Sequence, residues 1–575
     1  MSARRAVLFL IVLFGVLGAA VLFAALLMRR PSTSLPAATV LIFDVPSSLD
    51  ESQPPAGINL LDLVRRERPT VWMLAHGIRT AAGDARVRAL VLHIDPVDWG
   101  WAKVSEIRSA VMEFRDSGKP VYASLSGGGE REYLLASAAG TIACPPLTML
   151  ELNGLTASAL FMRGTLDKVG VTPNFAQAGR YKSAVESWTK GGMSPPAREA
   201  LQALVDDEFG LLVDSLATAR GLAPDSVSRL LDDGPYGASE AQARGLVDTL
   251  LHRSDLDSMV TSVAGAHRST LNLNRYVARL EAPHGTRRIA LVMAVGTIAE
   301  GRNRTSPADG EILGAESLIK ALREVRNRSS ISAVVLRIDS PGGSAQASDE
   351  IWQEVKRCAE RKPVIASCSD LAASGGYYIA VAADSIVADP ATLTGSIGAF
   401  GGKLNLLGLY RKLGLNVETV SRGRNAEMFS PFRDFTPEQA GRFQAQMDEV
   451  YRVFLSRVAE GRRRPVAEID SVGQGRVWTG LSARQRGLVD ALGGIPEAVA
   501  MARARAGIGE DESVAVEVYP RVERSFFQRV FAEMVSDEET RITAAIPPVV
   551  RAWLVAATFP PGVGLALMPW SIEIR

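Results

Sequence analysis

Cysteine and histidine are scarce in this chain of 575 residues, and neither sign of charge is in excess. The three cysteines, Cys144, Cys358 and Cys368, are odd in number and lack metal-ligand spacing, so we predict buried free thiols rather than a disulfide framework or a zinc site. Lysine and arginine together number 64, against 63 acidic residues. Because phosphate binding requires a basic excess, this balance gives no support to a nucleic-acid partner.

An unbroken apolar run occupies residues 6–28, with two arginines directly before it and two directly after it. The run is long enough to cross a hydrocarbon layer about 30 Å thick. A cleaved signal peptide would have a shorter apolar core and a small-residue cleavage site, whereas Arg29-Arg30-Pro31 follows here. We therefore expect a single-pass membrane anchor and linker in residues 1–37. The flanking charges balance and leave its orientation open.

The chain repeats itself at an offset of 244 residues. Residues 87–95 (VRALVLHID) resemble residues 331–339 (ISAVVLRID), each a short apolar run ending in Asp, as expected of a buried parallel strand. The pentapeptide RGLVD recurs unchanged at 244–248 and 486–490. An offset that drifts only from 244 to 242 over this distance indicates that one unit has been duplicated.

Each copy alternates strand-like and helix-like segments, which predicts βαβ units in a largely parallel sheet covered by helices, an α/β fold. Helices are predicted at 104–117 and 348–361, and the first strands at 39–45 and 289–295. The two copies span residues 38–285 and 286–515, and a tail, 516–575, belongs to neither. The stretch 300–310 is predicted to be a surface loop.

Two small-residue motifs occur in the second copy: residues 340–344 (SPGGS) directly after a strand, and residues 372–378 (AASGGYY) at the start of a helix. Adjacent glycines let backbone N–H groups approach a ligand closely and form an oxyanion hole. A serine at a helix N-terminus, here Ser374, lies where unpaired N–H groups stabilise developing negative charge.

The first copy lacks these features. Subtracting 244 from Ser374 gives Glu130, and subtracting it from the paired glycines gives Asp98 and Trp99. If the serine and the glycines were requirements of the scaffold, both copies would need them. Their restriction to one copy therefore indicates chemistry.

A nucleophilic serine needs a base, and the first copy offers a lysine. All five histidines precede residue 285, and His93 falls within a predicted strand, where a packed imidazole is expected. A lysine can act instead when desolvation lowers its pKa. Lys182 lies in residues 179–186 (GRYKSAVE), and adding 244 to it gives Ala426. Since one copy keeps the lysine and the other the serine, we predict a catalytic pair of Ser374 and Lys182 shared between the copies.

Four motifs make the chain resemble the signal peptide peptidase A family in its long, tandem-repeat form: residues 179–184 (GRYKSA), 339–344 (DSPGGS), 373–378 (ASGGYY) and 394–398 (TGSIG). The resemblance covers about residues 1–515. It implies two tandem ClpP/crotonase-like domains after an N-terminal transmembrane helix. It also implies a place in the bacterial inner membrane, with the catalytic body on the periplasmic side, and a homotetramer.

The same resemblance implies roles for individual residues. Ser374 is the nucleophile and Lys182 the general base, while Ser396 accepts a hydrogen bond from the Lys182 amine and orients it. The reaction implied is peptide-bond hydrolysis through an acyl-enzyme, and no metal or organic cofactor is required. The substrates implied are signal peptides and other apolar peptides left in the membrane.

An oxyanion hole is also implied by the resemblance. Its donors would be the backbone N–H of Gly342 or Gly343 together with that of Gly375. A substrate would then bind in an extended conformation beside the paired glycines.

Two other functions stay open at this point. One keeps the fold and changes the chemistry, as a crotonase-like enzyme acting on acyl-CoA thioesters. The other is a catalytically inert scaffold. The tail carries no family motif: residues 544–570 are apolar but broken by prolines, which favours packing against the body, with docking in the membrane interface as the alternative.

Overall fold

The computed structural model describes residues 35, 36, 38–53, 69–263, 269–280, 285, 287–306, 310–509, 511–521, 564–568 and 574. The predicted anchor at residues 6–28 lies outside this part of the chain, as does most of the tail. Within the described residues, no helix is both long enough and apolar enough to cross a membrane.

The first copy contains nine strands and ten α-helices among its described residues. The strands are β1 Thr39–Asp44, β2 Val87–Ile94, β3 Val121–Leu125, β4 Thr141–Cys144, β5 Met149–Leu150, β6 Thr172–Ala178, β7 Tyr236–Gly237, β8 Thr249–Leu250 and β9 Ser269–Asn272. The helices are α1 Val71–Gly83, α2 Trp101–Asp116, α3 Glu130–Ala136, α4 Arg163–Val169, α5 Glu186–Thr189, α6 Pro195–Arg220, α7 Pro224–Asp233, α8 Ala238–Ala243, α9 Arg253–Val263 and α10 Leu273–Val277.

The second copy and the described part of the tail continue this order. The strands are β10 Arg287–Val295, β11 Thr297–Ala299, β12 Arg304–Ser306, β13 Gly310–Gly314, β14 Ile331–Ser340, β15 Gly342–Ser344, β16 Val364–Ala373, β17 Ser385–Ala388, β18 Leu393–Gly395, β19 Ala399–Asn405, β20 Val477–Thr479, β21 Ala491–Leu492, β22 Val514–Tyr519 and β23 Leu565–Leu567. The helices are α11 Ala315–Asn327, α12 Ala345–Ala359, α13 Gly375–Ala380, α14 Leu407–Lys412, α15 Pro437–Arg462, α16 Val466–Val472, α17 Gly480–Gln485 and α18 Ile495–Arg505.

Each copy is built around its own sheet. In the first copy the order is β8-β4-β3-β2-β1-β9, with every pairing parallel. In the second it is β20-β18-β16-β14-β10-β22, parallel except at β18–β20, and β17 and β21 extend it. The predicted parallel α/β architecture is confirmed. The segment 300–310 is not wholly a loop, because β12 pairs antiparallel with β13.

The strand cores follow the alternation of side chains that a sheet covered on both faces requires. In β10, Ala290, Val292 and Ala294 pack on the face covered by α11 and α12, while Ile289 and Leu291 pack on the face covered by α18. Each fully buried Val, Leu or Ile side chain of these strands contributes about 1.5–3 kcal/mol. The three cysteines are buried and free, as predicted.

Equivalent contacts recur in both copies and confirm the repeat. The Tyr133 hydroxyl donates to the Leu246 carbonyl at 2.7 Å, and the Tyr377 hydroxyl, 244 residues on, donates to the Leu488 carbonyl at 2.8 Å. Helices α6 and α15 each have 26 residues and begin with proline after a capping Ser or Thr.

A buried ionic cluster joins the copies. The Arg337 guanidinium, at the position equivalent to His93, donates to the carboxylates of Glu51 at 2.9 Å and Glu106 at 2.7 Å, both from the first copy. Although burial opposes the charged form, these carboxylates raise the pKa of Arg337. His93 is packed within its strand, as expected, and its ring nitrogens contact Asp44 and Asp257.

Candidate active site

One strand of the first copy pairs with a strand of the second, and this pairing brings the lysine of the first copy to the serine of the second. Strand β6 leaves its own copy and pairs antiparallel with β19 of the other, from Ala178 opposite Ala399 to Thr172 opposite Asn405. The chain then turns at Gly179 and reaches Lys182 at the start of a short 3₁₀ helix. The long-range sheet pairing thus fixes which surface the lysine meets.

Lys182 and Ser374 are in direct contact. The Lys182 Nζ lies 2.7 Å from the Ser374 Oγ, 2.9 Å from the Ser396 carbonyl oxygen and 3.0 Å from the Ser396 Oγ. These distances are within hydrogen-bonding range for an amine and three oxygens. The structure therefore brings together the pair that the repeat predicted, Ser374 and Lys182, and the orienting residue that the family resemblance implied, Ser396.

The lysine lies in a dry environment. Lys182, Ser374 and Ser396 are all fully buried. Burial penalises the ammonium form, and its hydrogen-bond partners are neutral, so the pKa of Lys182 falls well below its ordinary value. A neutral amine has a lone pair to accept a proton, which is what a general base requires.

Both serines adopt unusual backbone conformations. Ser374 has φ 55° and ψ −113°, and Ser396 has φ 52°. Non-glycine residues rarely adopt such angles, and the surrounding structure must hold them. The Ser374 amide donates to the Gly395 carbonyl at 2.8 Å, and the Ser396 amide to the Arg476 carbonyl at 2.7 Å. In this conformation the hydroxyl of Ser374 lies 2.7 Å from the Lys182 amine.

A loop before β20 supports the site, and the sequence reading missed it. The Tyr181 amide donates to the Gln474 carbonyl at 2.7 Å, and the Gly475 amide donates to the Ile397 carbonyl at 2.7 Å. Gly475 has φ 79°, and a Cβ on it would lie 2.5 Å from the backbone nitrogen of Lys182. Only glycine fits, so this loop clamps the segment that carries the lysine. The one available signal was the Gln474-Gly475 pair just ahead of a strand.

The paired glycines divide into two roles. The Gly342 amide donates to the Ser340 Oγ at 3.2 Å, and that hydroxyl donates to the Gly296 carbonyl at 2.7 Å. Both glycines lie opposite strand β23, Gly342 opposite Leu567 and Gly343 opposite Ala566, so the Ser340 contact is what distinguishes Gly342. Gly375 is the first residue of α13, where a backbone N–H has no acceptor within its helix. Of the two alternatives in the sequence, Gly343 with Gly375 fits an oxyanion hole better.

The first copy uses the equivalent position for structure. Glu130, which replaces the serine there, is nearly fully buried and accepts backbone N–H bonds from Asn153 and Gly154, each at 2.8 Å. Burial raises the pKa of this carboxyl. The side chain at this position of the first copy thus holds its own loop and offers no hydroxyl nucleophile.

Comparisons with known proteins agree with the repeat. The model of Peptidase family S49 matches twice, at residues 113–266 and 356–509, and the Clp protease model matches residues 310–388. "Serine protease SPPA, chloroplastic" from Arabidopsis thaliana is 37% identical over 452 residues, covering 77% of this chain and 67% of that protein.

Two bacterial relatives are similar as well. "Protease 4" of Salmonella typhi is 31% identical over 507 residues, covering 86% of this chain and 80% of that protein. "Putative signal peptide peptidase SppA" of Enterococcus faecium is 30% identical over 215 residues, covering 37% of this chain and 62% of that protein.

The mixed α/β fold, the duplicated domain and these relatives define the chain as a serine protease. It belongs to Peptidase family S49, with two copies of the family's domain in tandem. This membership sets aside the acyl-CoA enzyme and the inert scaffold that the sequence had left open.

Proposed function

We propose that this serine protease works through a Ser/Lys dyad, with Ser374 as nucleophile and Lys182 as general base. The observation that carries the proposal is the 2.7 Å contact between the Lys182 Nζ and the Ser374 Oγ in a fully buried setting. The lowered pKa of Lys182 supports it, because a neutral amine can take the serine proton near neutral pH.

The reaction follows from these positions. Lys182 removes the proton of the Ser374 Oγ as that oxygen attacks the scissile carbonyl, and the amides of Gly343 and Gly375 hold the oxyanion. The lysine then protonates the leaving amine, and an acyl-enzyme remains. Water, deprotonated by the same lysine, releases the acid. Ser396 acts as a positioning residue, because its two oxygens at 2.9 and 3.0 Å direct the amine.

The proposed substrates are signal peptides and other apolar peptides at a membrane. The apolar run at residues 6–28 supports a membrane anchor, and a relative is named a putative signal peptide peptidase. A location in the bacterial inner membrane, with the body on the periplasmic side, is proposed from the resemblance to the signal peptide peptidase A family. A homotetramer is proposed with them. Membranes washed in alkaline carbonate should retain the full chain and release one lacking residues 1–37.

The dyad is tested by peptidase assay of the full chain on a leucine- and alanine-rich peptide. Ser374→Ala and Lys182→Ala should each lower kcat/KM by about 10³-fold or more. Two matched controls, Ser385→Ala and Lys362→Ala, remove a serine and a lysine that contact Arg505 and the Val325 and Arg328 carbonyls instead, and they should keep activity. Full activity in either dyad variant would exclude the mechanism.

A further inference from the structure

A short piece of the chain's own tail lies beside the paired glycines. Strand β23 is inserted between β15 and β19: Gly342 lies opposite Leu567, Gly343 opposite Ala566 and Ser344 opposite Leu565, all antiparallel. The ladder continues at both ends, because the Ala345 amide donates to the Gly564 carbonyl at 3.1 Å and the Met568 amide to the Pro341 carbonyl at 2.7 Å. An extended peptide added to a sheet edge is a common mode of peptide recognition.

The register of this strand puts a peptide bond at the catalytic centre. The Ala566 carbonyl oxygen lies 2.0 Å from where a Cβ on Gly342 would be and 3.0 Å from where a Cβ on Gly375 would be. It therefore lies between the paired glycines and the first residue of α13, where the oxyanion of a substrate is proposed to form. Gly342, with φ 97°, leaves the space that this oxygen occupies.

Side chains of the strand fill apolar sites on both of its faces. Leu565 and Leu567 pack with Phe175, Val185 and Phe400. On the other face, Met568 packs with Leu204, Ala373 and Val477. Ala566 is itself buried. The chain thus presents leucine, alanine, leucine and methionine to four positions of one groove.

A second contact fixes the chain beyond the strand. The Ile574 carbonyl accepts hydrogen bonds from the Trp101 Nε1 at 3.2 Å and the Arg131 Nη2 at 2.5 Å, and the Ile574 side chain is buried near Leu204. Both donors belong to the first copy. Residues 564–568 therefore pair with the second copy, and Ile574 is held by the first.

We propose that residues 564–568 occupy the substrate-binding groove of their own chain as an inhibitory strand, which a peptide must displace before it is cleaved. The inference rests on the proposed function, because it takes the groove at Ser374 as the place where peptides are hydrolysed. A tethered segment competes at a high effective concentration. The residues of this strand also indicate the substrate class. We expect extended apolar segments with a small residue at the cleaved bond and leucine-like residues on both sides of it.

The kinetic test weakens the strand without touching the dyad. Leu567→Asp places a carboxylate in an apolar site, and the matched Leu415→Asp makes the same change at a residue that is 49% exposed. With a peptide containing the sequence GLALM as substrate, Leu567→Asp should lower the apparent KM by about 10-fold or more at similar kcat, and Leu415→Asp should leave it unchanged. An unchanged or higher KM in Leu567→Asp would overturn the proposal.

A binding test separates this inference from the proposed function. Two proteins that both carry Ser374→Ala are compared: the 575-residue chain, and a shorter chain that ends at residue 563. The fluorescein-labelled peptide GLALM is titrated into each of them. The shorter chain should bind about 10-fold more tightly by fluorescence anisotropy, whether or not the protein cleaves peptides. Equal affinities would refute the inhibitory strand, even if the dyad variants had lost activity as proposed. A chain with no peptidase activity in any form, but with the affinity difference, would refute the function and keep the strand.

Discussion

Replacement of Lys182 by methionine should make the stability of the protein depend on pH in a defined way. Burial lowers the pKa of this lysine in the folded chain, whereas the unfolded chain has the ordinary value of about 10.4. Between the two values the unfolded state binds one more proton than the folded state. The lysine therefore destabilises the fold at neutral pH, and the free energy of unfolding rises with pH in that window.

The magnitude follows from a single proton. The free energy of unfolding of the wild type should gain about 1.4 kcal/mol per pH unit relative to Lys182→Met within the window. Methionine also removes hydrogen bonds to Ser374 and Ser396, at about 1 kcal/mol each, but these groups are neutral and that loss does not vary with pH. The slope is thus the observable that isolates the buried amine.

Urea unfolding followed by tryptophan fluorescence at pH 6 to 9 measures this slope, and Lys103→Met is the control. Lys103 pairs with Asp339 at 2.9 Å and Asp370 at 3.3 Å, and although burial opposes its charge, these carboxylates raise its pKa. The charged Lys103 stabilises the fold at every pH below its pKa in the unfolded chain. Lys103→Met should therefore lower the free energy of unfolding by about 3–5 kcal/mol, and this loss should not shrink between pH 6 and 9. If the free energies of unfolding of the wild type and of Lys182→Met changed with pH in parallel, the conclusion that Lys182 is neutral in the folded protein would be wrong.

Four further predictions use the same structure. Activity should rise about tenfold per pH unit up to the lowered Lys182 pKa and then level off, and a flat pH–rate profile would contradict the base. Ser396→Ala should lower kcat about 10-fold and shift the acidic limb of that profile, with KM little changed. Gly475→Ala should nearly abolish activity, whereas Gly414→Ala, also at positive φ but in open space, should cost only about 1 kcal/mol in urea unfolding. Arg337→Met should destabilise the protein by about 3–5 kcal/mol at neutral pH, because it leaves the Glu51 and Glu106 carboxylates buried without their cation. Although burial opposes its charge, Arg337 lowers the pKa of Glu51, so the loss should shrink as falling pH protonates that residue.

The two copies could be predicted from the sequence, and so could which copy carries each residue of the proposed dyad. Apolar runs ending in Asp repeat at a fixed offset, and side-chain alternation depends only on local order, so strands and helices were placed to within a few residues. Positions 244 residues apart could be compared directly, and Ser374 then aligns with Glu130 and Lys182 with Ala426. These differences between the copies predicted both members of the pair before their distance was known.

The tertiary structure decided what local patterns do not encode. Lys182 and Ser374 are 192 residues apart, and they meet because β6 pairs with a strand of the other copy, a choice that depends on packing over the whole molecule. The loop at Gly475 depends in the same way on a distant segment, because it packs against the backbone of Lys182.

The tail is the clearest case of this division. Its composition predicted only packing against the body or docking at a membrane, because apolar residues report a preference for burial and not a partner. The position of residues 564–568 against Gly342 and Gly343 follows from unpaired backbone groups at a sheet edge, which only the folded chain creates. The sequence by itself determined the two copies and the candidate catalytic residues, and the tertiary structure decided what lies beside them.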